Sequence, residues 1–332
     1  LRTYLLDPAF RPAAYRLSME RFAQQYDQME TSVQGMMQLH GERFLAGGNP
    51  HFGMPPRERF MHLTLSGVAS WLAPVFARAP LEISIVGDVE PEKAIALAGK
   101  YLGPLGRGEK SGRHHTLEAD FPGGESLQKT VGSEIDKALV TVAWPTDDFW
   151  NISRTRRLNI LAAILADRLR REIRERLGAV YSPVVYNAPS KVVPGYGVLR
   201  AMLTVDPNRT GDIADRVLAV AGELVRLGIT EDELTRALEP TLTSIKDMVR
   251  TNRYWLQSVM ALSSRHPEQL EWPLTIQEDF ASITTEELSQ LADRYLMSPQ
   301  SARIVFTPAG VAGEKVERQV SSPATGQDSG PG

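Results

Sequence analysis

Leu169-Arg170-Arg171-Glu172-Ile173-Arg174-Glu175-Arg176-Leu177-Gly178-Ala179-Val180-Tyr181-Ser182 joins the end of a long amphipathic pattern to the start of a strand. Leu161, Leu165, Leu169 and Ile173 recur every four residues, with Leu158 and Ile164 beside them, so a helix with one buried stripe is expected over 152–177. Gly178 can take the left-handed conformation that ends a helix, and 179–187 then reads as a strand. Helix end and strand start lie within side-chain reach, so the Arg174 guanidinium and the Tyr181 phenol can converge on one point. Arg brings several fixed donors for carbonyl oxygens, and Tyr an O–H donor for an oxyanion. Ordinary packing also places an arginine before a helix-terminal glycine and an aromatic in the next strand, so the residues alone leave both readings open.

The other face of this helix carries Arg154, Arg156, Arg157, Arg168, Arg170, Arg171, Arg174 and Arg176. Asp167 with Arg171, Arg168 with Glu172, Arg171 with Glu175 and Glu172 with Arg176 are each four residues apart, the spacing of ion pairs on a helix surface. A solvated, self-paired face is therefore expected, and no nucleic-acid partner. The net charge of −3 argues the same way.

Outward from that helix, strands are expected near 127–133, 137–145, 196–205 and 302–307. Helices are expected near 209–228, 231–263 and 284–297, with Pro240 kinking the second or ending its first segment. Trp255, Leu256 and Met260 read as core. Tyr186 and Tyr196 fall on strands near the Arg174–Tyr181 junction, either packed or touching a ligand. Before residue 103, helices are expected near 9–28, 31–45, 65–77 and 91–102. Leu81-Glu82-Ile83-Ser84-Ile85 alternates apolar and polar, as a half-buried strand does. Between Gly103 and Gly124 the chain turns to Gly, Pro, Lys, Arg and His, a linker composition.

An internal repeat is visible. A helix opening at Thr64 leads to a strand and Val86-Gly87, and a helix opening at Thr284 leads to Ile304-Val305-Phe306. The reading is an α+β protein of two tandem homologous domains, each an antiparallel-rich sheet covered by helices. Residues 1–104 are expected to be the carboxyl-terminal part of the first domain, truncated at its N-terminus. Residues 105–125 are the linker, 126–310 the second domain and 311–332 a disordered tail. Residue 1 is Leu, and the chain is expected to be the mature or truncated end of something longer.

Zero cysteines exclude disulfides, thiolate metal sites and cysteine nucleophiles. No apolar run approaches the roughly 18 residues of a membrane span. None of the histidines has a partner at metal-binding spacing on one helix. His51 and His62 are too far apart for a single helical face, and His114-His115 lie in the linker. There is no Gly-x-Ser-x-Gly elbow, and 103–111 misses the phosphate-loop spacing. No metal is assigned to this chain.

The opening stretch is similar to the Leu-Arg-Glu-x-x-Gly-x-x-Tyr-Ser region of the pitrilysin/insulinase family of zinc peptidases, where Arg and Tyr stand seven residues apart, as Arg174 and Tyr181 do. Phe44-Leu45-Ala46-Gly47-Gly48-Asn49-Pro50-His51-Phe52-Gly53-Met54-Pro55 resembles that family's loop before a short helix. Ile85-Val86-Gly87-Asp88-Val89 resembles the strand that closes each of its domains. The resemblance covers about 1–308. It implies two halves closing like a clamshell around a peptide, with Arg174 and Tyr181 holding the substrate backbone near a zinc bound by the other half. The family's His-x-x-Glu-His is missing here. The resemblance therefore implies the carboxyl-terminal, substrate-binding half of a zinc metalloendopeptidase. Its partners would be a peptide substrate and a zinc-bearing N-terminal half or partner subunit. Residence is expected in the periplasm or after export, with the cytoplasm as the alternative. The alternatives in function are a non-catalytic partner subunit and a structural or protein-binding module.

Overall fold

The computed structural model describes residues 2–105, 116–177 and 183–310, without the side chains of 174–177. The amino-terminal part is helical: α1 (Arg2–Leu6), α2 (Pro12–Glu30), α3 (Val33–Met36), a π-helical turn (Met37–Gly41), α4 (Glu42–Leu45), α5 (Arg57–Met61), α6 (Leu65–Arg78) and α7 (Pro91–Leu102). The first strands, β1 (Ser126–Val131) and β2 (Ala138–Thr146), precede the long helix α8 (Ile152–Leu177). Then come β3 (Val184–Pro189), β4 (Gly197–Val205), α9 (Thr210–Leu227), α10 (Glu231–Met248), α11 (Asn252–Tyr254), α12 (Trp272–Ala281), α13 (Thr285–Tyr295) and β5 (Ala302–Pro308). The five strands form one sheet in the order β1-β5-β2-β4-β3. β1 runs parallel to β5, and every other pairing is antiparallel.

The core has two layers because alternate residues of each strand point to opposite faces. Ala138, Val140, Val142 and Trp144 of β2, with Leu199, Ala201 and Leu203 of β4, meet α8, α9 and α13. The expected stripe is the buried one: Leu158, Leu161, Ile164, Leu165, Leu169 and Ile173 are each at most 2% exposed. The opposite face, with Leu139, Ala143, Val198, Ile304 and Phe306, is covered by Val33, Met36, Met37 and Leu45. Those four come from a continuous helical rod, α3 through the π-helical turn to α4. Leu117, Ala119 and Phe121, from the expected linker, pack against the same layer. Gly47, just past the rod, has φ +63°, and a Cβ there would stand 2.6 Å from the Asp120 carbonyl oxygen, so glycine is needed to bring these segments together.

Several expectations are corrected. Residues 81–86 pair with no strand among the described residues, although their alternation is that of a strand. The arginine face of α8 is not simply solvated. Arg156 and Arg157 both bind Asp279 at 2.8 Å, Arg157 also reaches Glu287, and Arg168 reaches Glu233 at 2.7 Å. Asp167 and Arg171 do pair, at 2.6 Å, but Glu172 binds Arg216 rather than Arg168. Sequence spacing shows neighbours along one helix and hides partners that the fold brings from elsewhere. Pro240 lies inside α10 without ending it. The carbonyl it leaves unbonded, that of Arg236, is on the exposed side, and the Thr241 hydroxyl donates to the Ala237 carbonyl at 3.1 Å. The helix expected over 231–263 instead ends at Met248. A second, π-helical turn (Trp255–Met260) follows α11 and leaves Trp255 and Leu256 substantially exposed, not in the core. Helix α12 has no clear stripe, its Leu274 being exposed, and is not anticipated by periodicity. The expected tail, 311–332, and 106–115 of the linker lie outside the described residues.

Candidate functional site

Helix α8 ends at Leu177, packs along β3 and hands the chain to that strand. Arg174 occupies the last turn of α8. Its side chain, and Tyr181 entirely, lie outside the described residues. Their surroundings are defined. β3 is the last strand in the sheet order, bonded to β4 on one side and to no strand among the described residues on the other. The outer edge of β3 therefore presents backbone N–H and C=O groups that an extended peptide can pair with.

Val184 and Tyr186 face the rod side of the sheet, opposite Met202 and Arg200 of β4. The Tyr186 ring lies over the Arg200 guanidinium at 5.3 Å, and its hydroxyl reaches the Met202 sulfur at 3.8 Å. Arg200 is 5% exposed and binds both carboxylate oxygens of Glu42, on α4. Burial would lower its pKa, but hydrogen bonding and attraction to Glu42 outweigh it and raise the value, so the charge stays. Tyr196 is buried and donates to the Leu45 carbonyl at 3.0 Å, with its own pKa pushed up to about 12 by burial. On the other face of β3, the Thr146 hydroxyl donates to the side-chain oxygen of the adjacent Asn187 at 2.9 Å. The middle of the edge strand is thus held on both faces of the sheet, while its outer side pairs with no strand among the described residues.

Arg200 and Glu42 are 158 residues apart and were not candidates from sequence. The available signal is the charge at Arg200 inside the apolar run Gly197-Val198-Leu199-Arg200-Ala201-Met202-Leu203. A buried strand holds such a residue only with a partner. Of the two tyrosines, Tyr196 is a packing residue, and Tyr186 is half-exposed beside the open edge.

Among the described residues, no three His, Asp or Glu side chains converge as a metal site. His40 is half-buried, and its pKa is lowered by burial and by Lys129 and Arg43. His266 stacks on Trp150 with 3.2 Å between ring centres. His114 and His115 lie outside the described residues. The described side chains do not fit a zinc ion.

Residues 64–240 match the family model described as the peptidase M16 inactive domain. The chain belongs to this family. It is similar to an uncharacterized zinc protease of Rickettsia felis, 29% identical over 112 residues, which cover 32% of this chain and 26% of that protein. It is also similar to the chloroplastic stromal processing peptidase of Oryza sativa subsp. indica, 24% identical over 323 residues, covering 82% of this chain and 25% of the rice protein. The chain thus spans about a quarter of the length of these relatives. The peptidase M16 inactive domain from Pseudomonas fluorescens shares its fold with a TM-score of 0.75 at 16% identity, covering 92% of this chain and 73% of that one. A protease from Helicobacter pylori does so with a TM-score of 0.73 at 14% identity, covering 90% and 72%. The α+β fold is therefore that of M16 peptidase domains, and the inactive-domain match agrees with the missing His-x-x-Glu-His.

Proposed function

We propose that this M16 chain is the carboxyl-terminal, substrate-binding half of a zinc-dependent metalloendopeptidase that hydrolyses peptide bonds in an enclosed chamber. The observation that carries the reading is the match to an inactive peptidase domain across α8 and the Arg174–Tyr181 junction, beside the outer edge of β3, which pairs with no strand among the described residues. The zinc would sit in a separate N-terminal half, on the same polypeptide or a partner subunit, and would supply the polarised water. This chain's residues would do the rest. The edge of β3 pairs with the peptide backbone, which fixes its direction and register. Arg174 donates to a backbone carbonyl next to the scissile bond, and Tyr181 donates to the oxyanion that forms. Glu42 and Arg200, by holding Tyr186 and β4, keep that edge in place.

Residues 126–310 would be a second metallopeptidase-like domain and 1–104 part of a first, joined by the linker at 105–125. Residence in the periplasm is proposed on the likeness to the periplasmic protease PqqL from Escherichia coli, a TM-score of 0.62 at 19% identity.

The test is cleavage of an internally quenched peptide by this chain alone and by this chain with the zinc-bearing half. Activity in the mixture alone, lost on chelation, is expected. Chelator-sensitive cleavage by this chain alone would show a metal site within it. No cleavage from associated halves would overturn the catalytic reading in favour of a structural one.

A further inference from the structure

Strand β3 lies within Pro183-Val184-Val185-Tyr186-Asn187-Ala188-Pro189, a run with proline at each end and no charged residue between. In an antiparallel pair, alternate residues turn their N–H and C=O groups toward the neighbouring strand, and those between turn them away. Just past β3 the Ser190 N–H donates to the Tyr196 carbonyl at 2.9 Å, which continues the register with β4 by one residue. The even residues Val184, Tyr186 and Ala188 therefore bond to β4, and the odd residues Val185, Asn187 and Pro189 turn their backbone groups to the outer edge. Pro189 agrees with this phase, because a sheet tolerates proline where the missing N–H faces away from the neighbour.

The outer edge of β3 thus carries N–H donors at Val185 and Asn187, while Pro183 and Pro189 can supply only carbonyls. Edges are commonly blunted against pairing by a charge or by a proline within the strand. β1, the other outermost strand, carries the exposed Lys129. On β3 the prolines stand at the ends, and the middle keeps both donors. Beside that middle, Val184 and Tyr186 are 56% and 40% exposed on the rod face. The Arg200 guanidinium lies against the Tyr186 ring, which fixes the ring and leaves part of it bare.

We infer that β3 takes a peptide substrate through a three-residue antiparallel window bounded by Pro183 and Pro189, and that Tyr186 selects an aromatic or β-branched side chain at its centre. The inference rests on the reading of β3 as the substrate-pairing edge. Opposite Val185 and Asn187, two peptide residues would each exchange two hydrogen bonds with the strand, their side chains on the α8 face. The residue between them would stand opposite Tyr186 on the rod face, where aromatic and β-branched partners pair well with an aromatic ring. Past the window, pairing falls to single bonds onto proline carbonyls, so a longer strand gains little. The ligand that fits is a short extended segment with an apolar central residue.

The probe is the peptide acetyl-Ser-Val-Thr-Phe-Thr-Val-Lys-amide, added to the 332-residue chain with amide exchange followed residue by residue by NMR. In the free chain the amides of Val184, Tyr186 and Ala188 are expected to exchange slowly and those of Val185 and Asn187 fast. The peptide should slow those two. N-methylation of either threonine should abolish the effect, and N-methylation of the phenylalanine, whose N–H points away from β3, should not. Tyr186→Ser should weaken binding of this peptide by up to about fivefold and leave binding of its glycine-for-phenylalanine version unchanged. Pro189→Val adds a third donor and should extend the protection to residue 189. Slow exchange at Val185 and Asn187 in the free chain would overturn the inference. So would no protection, protection of β1 in place of β3, or equal tolerance of all three N-methylations. Cleavage by the assembled halves without this protection would remove the window alone; protection without cleavage would remove the peptidase reading alone.

Discussion

Arg200 is held charged in the sheet by Glu42, and the two partners are not equivalent. Arg200 is 5% exposed, whereas Glu42 keeps partial contact with water. Removing the carboxylate leaves a buried cation unpaired; replacing the arginine by an apolar residue leaves an anion that water can reach. Glu42→Ala should therefore cost about 3 kcal/mol or more, and Arg200→Met less than half of that. Urea unfolding of the two variants reads the difference, and equal losses would remove the argument. Arg174 and Tyr181 are different in kind, because their expected role is toward substrate and not toward the fold. Arg174→Ala or Tyr181→Phe should lower turnover of the assembled peptidase by about 100-fold, the scale of one lost oxyanion donor, with the unfolding midpoint unchanged. Wild-type turnover in both variants would dispose of the clamp. The Arg174–Tyr181 pair could be proposed from sequence because its members stand seven residues apart across Gly178. The Glu42–Arg200 pair was not, because only the three-dimensional approach of α4 to β4 creates it.

At the scale of the element, α10 shows how a helix start becomes a tertiary lock. Thr230 and Glu233 form a reciprocal capping box, and Arg168 of α8 binds both oxygens of the same Glu233 carboxylate, at 2.7 and 2.8 Å. Burial alone would raise this carboxyl's pKa. Hydrogen bonds from Arg168 and Thr230 outweigh that and hold it down to about 2, below the ordinary 4.5. A lowered folded pKa stabilises the protein fully above the unfolded value, and the stabilisation is lost as pH falls from about 4.5 through 2. The amount at stake is on the order of 3 kcal/mol at 1.36 kcal/mol per unit. Glu233→Gln should thus be less stable at pH 7 and show a flatter stability profile between roughly pH 5 and 2. Urea midpoints of both proteins across that range check it; parallel profiles would mean that the carboxylate's charge does not matter. The elements most legible in sequence were those with an unbroken local period, α8 above all. The segment 81–86 shows the limit of such reading: its alternation is a property of the residues, but a strand exists only where a neighbour supplies hydrogen bonds.

At the scale of the whole molecule, the amino-terminal helices and the sheet are joined mainly through the rod. Leu45 is fully buried between the rod and the sheet, and the carbonyl of the same residue accepts the Tyr196 hydroxyl. Phe52 meets the Tyr196 ring edge-on with 5.1 Å between centres, so one side chain of the second half gathers two groups of the first, the Leu45 carbonyl and the Phe52 ring. None of this could be read from composition, since the layer draws on residues as far apart as Val33 and Phe306. It makes the rod a structural part of the sheet and not a separate helical appendage. Leu45→Ala should therefore cost about 2–5 kcal/mol, the range for deleting a buried leucine side chain in a layer that cannot fully collapse. The loss should appear in the unfolding of the sheet itself, followed through Trp144, which is buried on the opposite face. If the rod were independent of the sheet, Leu45→Ala would loosen 33–45 to protease while leaving the Trp144 transition where it was.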